Sequence, residues 1–485
     1  MSKEILNLEP KALWKNFYNL TQIPRPSKHE AQVTKYMKEW GENLGLETIV
    51  DEVGNVIIKK PATPGMENRK TVCLQSHLDM VPQKENDFDF DFEKDPIDAY
   101  IDGEWVTANK TTLGADDGLG DAAAMAILES TDIPHGPIEC LFTVDEETGM
   151  TGAFALKPGL LDAEILLNLD SEAEGELYIG CAGGTNATIK FDYKKENVPE
   201  NSVAKKIIIK GLKGGHSGLD IPLGRGNANK LLNRFLRFTV KEHNARLAYF
   251  DGGSLRNAIP RDAYAIVTLP KNSEEAFNKS IAEYEEIFKK ELSAVEPNLT
   301  FEYEDAKNPE FVIDEDTQNR FIAAVYGYPN GVIRMSDSMP IVETSTNLAS
   351  IKTDDNTITI LCLLRSSVDS AKKDLGEMFR CISEIAGAEI ILDGEYPGWK
   401  PNIDSPILKH MKNVYNNLFG KIPEIMAIHA GLECGLIKSV YPKMDAISFG
   451  PTIMYPHSPD EKCHIDSVKK FYEFLVETLK QIPLK

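Results

Sequence analysis

Three short, almost uninterrupted apolar runs mark the first part of the chain: TVCLQ (71–75), IECLFTV (138–144) and EILLNL (164–169). A run that is apolar at both alternations suits a strand covered on both faces, so each predicts a buried strand of a central mixed sheet. Between the first two lies GDAAAMAILES (120–130), rich in Ala, Met, Ile and Leu and free of internal Gly or Pro, which predicts a mostly buried helix. Alternation of this kind from about residue 45 to about 185 predicts an α/β architecture, a layered sheet with helices on both sides.

The pattern changes near residue 187, where the polar stretch DYKKENVPENSVAKK (192–206) reads as a boundary or a long surface hairpin. From there to about 396 the chain reads as two similar halves. The first runs through the strand KKIIIKGL, the helix ANKLLNRFLRFTVKE, paired strands, a charged helix and the strand LTFEY. The second runs through the helix DTQNRFIAAVYG, three strands, the helix AKKDLGEMFRCISEIAG and the strand AEIILDG. Tyr396-Pro397-Gly398-Trp399 reads as the crossing back into an α/β pattern, with the helix PILKHMKNVYNNLFG, a strand at MDAISFG (444–450) and a last helix from about 464 to 480. The expected organisation is a discontinuous α/β domain, 1–186 plus 397–485, interrupted at 187–396 by an inserted α+β domain that can serve as a lid.

Composition narrows the function. With 53 Lys and Arg against 75 Asp and Glu the formal charge is −22, which argues against nucleic acid and anionic membranes as partners. A content of 42% hydrophobic and 26% charged residues excludes wholesale disorder and fibrous repeats. Seven cysteines without a CxxC pair read as free, mostly buried thiols in a reducing compartment. Neither a signal-peptide core at the start nor an apolar span of membrane length is present, so the expectation is a soluble cytoplasmic protein.

Each buried run is followed by groups able to bind metal: Ser76-His77-Leu78-Asp79, Asp145-Glu146-Glu147 and Asp170-Ser171-Glu172. Gly114-Ala115-Asp116-Asp117-Gly118 precedes the Ala-rich helix, and Pro456-His457-Ser458 precedes the last one. Taken singly these are ordinary: a hydrogen-bonded histidine, solvated surface charge, a helix cap. Their recurrence at the carboxyl ends of separate strands, where open α/β sheets bind ligands, is not. Carboxylates buried together are costly unless cations neutralise them. Two histidines with Asp116, Glu147 and Asp170 carry −3, and a hydroxide adds one more, which matches two divalent ions. Mixed His and carboxylate donors favour Zn²⁺, with Co²⁺ or Mn²⁺ able to substitute. On an extended backbone neighbouring side chains point opposite ways, so Glu146 and Glu147 are expected to divide into base and ligand. Asp79 shares a side with His77 and is expected to accept its second ring N–H.

Together SHLDMVP (76–82), GADDGLG (114–120), DEETGMTGA (145–153), NLDSE (168–172), GGHSG (214–218) and PHSPDE (456–461) resemble the dinuclear zinc exopeptidases of the aminoacylase and carboxypeptidase G2 type. HAGLECG (429–435) and VETSTNLASI (342–351) are similar to the aminoacyl-histidine dipeptidase branch. The resemblance implies a zinc-exopeptidase-like catalytic domain with a lid, and roles residue by residue. His77 sits on one metal, His457 on the other, Asp116 bridges, and Glu147 and Asp170 each complete one site. Glu146 is the general base, Asp79 the partner of His77, and the Asp116-Asp117 peptide is cis. For the oxyanion the resemblance points to His216, although the glycines around it equally suit a plain turn, and no GK[ST] follows to make a phosphate loop. In several members the lid histidine reaches the partner subunit's site, which makes a homodimer through the lid a candidate assembly.

The carboxylate of a small peptide substrate suits the fork of Arg365, with Asn257 as a neighbouring contact; the alternative is a surface arginine paired with local acids. His429 and Gly431 fall where related enzymes touch substrate, in a stretch that departs from the wider family's Gly-Gly-Ser/Thr pattern, and Glu433 is a candidate for the free amino group. His464 competes with His457 for the last ligand position but opens the terminal helix, so a capping role is expected. Three functions follow: a metallo-dipeptidase acting on unblocked dipeptides such as β-Ala-His, an N-acyl-amino-acid amidohydrolase, and a non-catalytic metal-stabilised scaffold. Glu146 speaks against the last, since a structural site needs no base beside it.

Overall fold

The computed structural model describes residues 3–485. The chain divides into two compact units, one running to Gly180 and including Pro401–Ala427 and Leu432–Lys485, the other Cys181–Lys400 with Ile428–Gly431. The divisions fall at 180/181 and 400/401, not at 186/187 and 396/397. The strand Gly183–Asp192 explains the first shift, because it pairs entirely within the second unit's sheet. Hydrogen bonds from Ala182 N–H to the carbonyls of Ile428 (3.1 Å) and Ala430 (3.0 Å) draw the short 428–431 stretch to the same side.

In the first unit the three apolar runs become the strands Val72–His77, Ile138–Thr143 and Ile165–Asn168, buried at every position. They lie side by side and parallel, with Ile138–Thr143 and Ile165–Asn168 flanking Val72–His77. Asp445–Ser448, from the far end of the chain, adds a fourth parallel strand beside Ile165–Asn168. Antiparallel strands Val56–Lys60 and Glu47–Val50 extend one edge, and the sheet reaches eight strands. Continuous burial is what the apolar runs demand, and it brings four strand ends out at one edge. The helix Ala115–Glu129 starts five residues before the Ala-rich pattern and is buried through Leu128. Its first turn is interrupted at Asp116 and Asp117, whose backbone is non-helical and whose connecting peptide is cis.

The second unit contains the doubling, in a form the linear pattern hides. One half runs Ser202–Lys210, helix Ala228–His243, Arg246–Gly252, Ala263–Pro270, helix Glu274–Glu291, Thr300–Ala306. The other runs Gly183–Asp192, helix Glu315–Gly327, Val342–Thr353, Thr357–Ser366, helix Asp369–Ala386, Glu389–Tyr396. In each half the first strand pairs antiparallel with the third and fourth, and the second with the third. The second half therefore opens on a strand that precedes the first half in sequence, and the first half is an insertion into it. Arg246–Gly252 and Val342–Thr353 join the halves antiparallel, at Asp251 opposite Lys352 and Gly252 opposite Ile351. Phe191, Phe250 and Phe321 meet edge-on in the shared core.

Six of the seven cysteines are buried, and Cys381 is exposed. Among the described residues no helix is long and apolar enough to cross a membrane.

Candidate active site and metal centre

His77 ends its strand with the ring edge-on to two acids: Nε2 lies 3.1 Å from Asp116 Oδ1 and 3.3 Å from Asp170 Oδ1. His457 reaches the same carboxylate from the other end of the sequence, its Nε2 lying 3.2 Å from Asp116 Oδ2 and 3.0 Å from Glu147 Oε2. Asp116 is thus shared, one oxygen toward each histidine. Two triads result, His77–Asp116–Asp170 and Asp116–Glu147–His457, each with donor atoms within 4.8 Å of one another. These side chains are almost fully buried except His457, which is about half exposed at 49%.

The electrostatics ask for cations. Burial raises Glu147, and it pushes Asp170 up to about 7 and Glu172 up to about 8, with neighbouring carboxylates adding to the shift. Asp116 moves the other way: burial alone would raise it, but hydrogen bonds from His457 and His77 hold it well below the usual range. Hydrogen bonds to Asp116 and Glu147 in turn push His457 up to about 11. Glu147 Oε1 is a buried acceptor without a hydrogen-bond partner among the described residues. One imidazole and one carboxylate on each side of a shared carboxylate is the donor set that zinc-like ions take, so the residues fit a pair of divalent cations.

Glu146 and Glu147 do not continue an extended strand. They open a single helical turn, Glu146–Gly149, entered through a left-handed Asp145 (φ 54°). The two side chains therefore diverge by about 100° rather than pointing opposite ways. His77, Glu146 and Glu147 all offer donor atoms within 4.8 Å, so proximity to His77 does not separate them; the 3.0 Å approach to His457 singles out Glu147. Burial raises the Glu146 carboxyl well above its ordinary value, with Asp170, Glu433 and Glu147 as like-charged neighbours.

Asp79 serves two masters. His77 Nδ1 lies 3.1 Å from the Asp79 carbonyl and 3.4 Å from its carboxylate, so main chain and side chain share the imidazole. The carboxylate also accepts the N–H groups of Glu146 (2.9 Å) and Glu147 (3.2 Å) and the Ser27 hydroxyl (2.8 Å). Burial alone would raise Asp79, but these donors and His77 hold it at about 2.

Other expectations meet the structure differently. Glu433 is fully buried and accepts from Gln75 (2.6 Å) and Thr143 (2.6 Å) on one oxygen, which leaves no exposed carboxylate for a substrate amine. His464 caps the helix Ile465–Gln481, its Nδ1 accepting from Ser467 N–H at 3.3 Å. Two buried charges, Arg25 and Glu461, escaped the reading of the sequence. Glu461 carried a faint signal, an acid four residues after a ligand histidine; Arg25, in IPRPS, carried none.

The second unit gathers the polar residues singled out there. His216 pairs with Ala258 in a two-residue ladder, and Ser217 N–H donates to the Asn257 carbonyl at 2.8 Å, so His216 and Asn257 are ladder neighbours. His216 Nδ1 accepts from Gly218 N–H (3.2 Å) and Leu219 N–H (3.1 Å), which leaves the ring proton on Nε2. Arg365 is buried, donating to Tyr396 hydroxyl (3.1 Å) and Ser217 hydroxyl (3.4 Å). No carboxylate pairs with it among the described ion pairs, unlike a surface arginine tied to local acids. Across the sheet Ser345 faces Arg365 and bonds His429 Nε2 at 2.7 Å. Burial, with Arg365 and His216 as neighbours, holds His429 down at about 3 and so neutral. Gly431 ends the same 428–431 stretch.

The chain belongs to peptidase family M20/M25/M40, which residues 73–481 match. It is 48% identical over 483 residues to the cytosol non-specific dipeptidase of Escherichia coli (strain K12), covering 99% of this chain and 100% of that one. It is also similar to the aminoacylhistidine dipeptidase of Vibrio alginolyticus, whose crystal structure superimposes with a TM-score of 0.95 at 51% identity, covering 100% of this chain and 99% of that one. The aminopeptidase PepT of Bacillus cereus shares the fold at 17% identity and a TM-score of 0.58, covering 98% of this chain and 99% of that one.

Proposed function

We propose that this chain is a metal-dependent dipeptidase of the cytosol that hydrolyses dipeptides with a free N-terminus, Xaa-His compounds such as β-Ala-His among them. The substrate class and compartment follow the names of its full-length relatives. The observation that carries the chemistry is Asp116, whose two oxygens each face a histidine, at 3.1 and 3.2 Å, with one further carboxylate beside each ring.

In this reading His77 and Asp170 would hold one divalent cation and His457 and Glu147 a second, with Asp116 available to both; zinc fits the donors, with cobalt or manganese as substitutes. Cations bound there would polarise the scissile carbonyl and acidify a water. Glu146 would take a proton from the attacking water and pass it to the leaving amine. Asp79 orients His77 and the Glu146 turn together, so base and ligand keep one geometry. His216 offers its Nε2–H to the developing oxyanion. Arg365 forks onto the substrate carboxylate, with Asn257, His429 and Gly431 supporting the peptide backbone.

A dipeptide panel with added Zn²⁺ or Co²⁺ tests the function: β-Ala-His and Ala-His should be cleaved in preference to N-acetyl amino acids, and the reverse preference would make the protein an amidohydrolase. Arg365→Ala should raise KM by roughly 10- to 100-fold, the worth of a charged hydrogen bond, with metal content unchanged. Equal loss with a substrate lacking the carboxylate would instead show that Arg365 supports the fold. A homodimer through the second unit, which exposes Leu219, Leu223 and Leu255, belongs to the same proposal; a single-chain mass by light scattering would remove it.

A further inference from the structure

We propose that Glu461 is a positioning residue that sets the separation of the two cation sites by locking the loop of Asp116 to the loop of His457. The inference rests on the metal-centre reading above and names a group with no contact to substrate. Glu461 follows His457 by four residues, between the strands Ile453–Met454 and Lys462–His464, and is 2% exposed. Its Oε2 accepts the N–H groups of Leu113 (2.7 Å) and Gly114 (2.9 Å), and its Oε1 those of Ala115 (2.8 Å) and Asp116 (3.3 Å). Four consecutive backbone donors thus end on one carboxylate, the last of them belonging to the shared ligand itself.

The backbone is shaped for this. Gly114 is left-handed (φ 70°), which curls successive N–H groups toward one point, the nest conformation that favours an anion. A Cβ at position 114 would meet Arg25 Nη2 and Met80 Sδ at 2.8 Å, so a side chain there would be strained in its backbone and would displace Arg25 or Met80. The opposite edge of the loop is held by Arg25, whose Nη2 donates to the Gly114 carbonyl at 2.6 Å and whose Nη1 donates to those of Leu78 (2.9 Å) and Asp79 (3.0 Å). Glu461 is itself fixed, its N–H donating to the Ser458 carbonyl (3.1 Å) and its carbonyl accepting from the Thr107 hydroxyl (2.8 Å). His457 and Asp116 are 341 residues apart in sequence, and this carboxylate ties their backbones together. Ligands held this way lose little freedom on binding a cation, and removing such outer supports weakens metal sites by about 10- to 100-fold.

Glu461→Gln tests it, because the amide preserves shape while turning an NH₂ toward two N–H donors. Chelator competition with Zn²⁺ or Co²⁺ should show the dissociation constant raised by about 10- to 100-fold. The visible spectrum of the Co²⁺-loaded variant should shift, and kcat at saturating metal should stay below that of the wild type while KM holds. A folded Glu461→Gln with wild-type affinity and a wild-type Co²⁺ spectrum overturns the proposal. If that variant does not fold, Glu461→Asp, charged but one methylene shorter, becomes the reporter: weaker binding supports the proposal and unchanged binding overturns it. Wild-type protein that takes up no divalent ion would overturn the metal-centre reading instead, so the two failures are distinguishable.

Discussion

Glu146→Gln should lower kcat by about 10⁴-fold, the upper end of what a general base supplies, while both cations stay bound and KM holds. Glutamine keeps the volume of the side chain and the backbone N–H that Glu146 donates to Asp79, so the turn carrying Glu147 should survive. What disappears is the carboxylate that the proposed mechanism uses as its proton acceptor. The informative comparison is metal content by elemental analysis alongside single-turnover rates. Loss of a cation in this variant would mean that Glu146 is the ligand and Glu147 the base. The geometry leaves room for that outcome, since both glutamates lie within reach of His77.

Asp116→Asn should strip the centre of both cations, and activity should fall at least as far as for Glu146→Gln. The carboxylate at 116 turns one oxygen toward each histidine, and an amide offers a single neutral oxygen with an NH₂ toward the other ring. His457→Ala, by contrast, should release one cation, since His77, Asp170 and Asp116 remain in place. Metal titration of the two variants side by side decides the matter. If Asp116→Asn kept one cation as firmly as His457→Ala does, the sharing of this carboxylate would be refuted.

The candidate site residues are legible to different depths. His77, Asp116, Asp170 and His457 are singled out because each follows a buried run or precedes a helix; parallel strands bring His77 and Asp170 to one edge, and Asp116 and His457 meet them there. The expected division between Glu146 and Glu147 rests on an extended backbone, whereas the chain turns helical immediately after Asp145. Asp79 is expected to accept from His77, and its carboxylate also caps that turn, a task visible only once Ser27 and the two glutamate N–H groups surround it. Glu433 looked available for substrate from its motif and proves to be sealed beneath the site by Gln75 and Thr143.

By itself the amino-acid order determined which stretches lie in the interior and which chemistry waits at their ends, because hydrophobic periodicity and ligand type are properties of a few neighbouring residues. Only the tertiary structure decided that Gly183–Asp192 opens the second half of its unit and that Glu461 and Arg25 hold the loop of Asp116. Strand partners and long-range hydrogen bonds depend on which distant segments meet, and that is settled by the collective packing of the whole chain rather than by any local pattern.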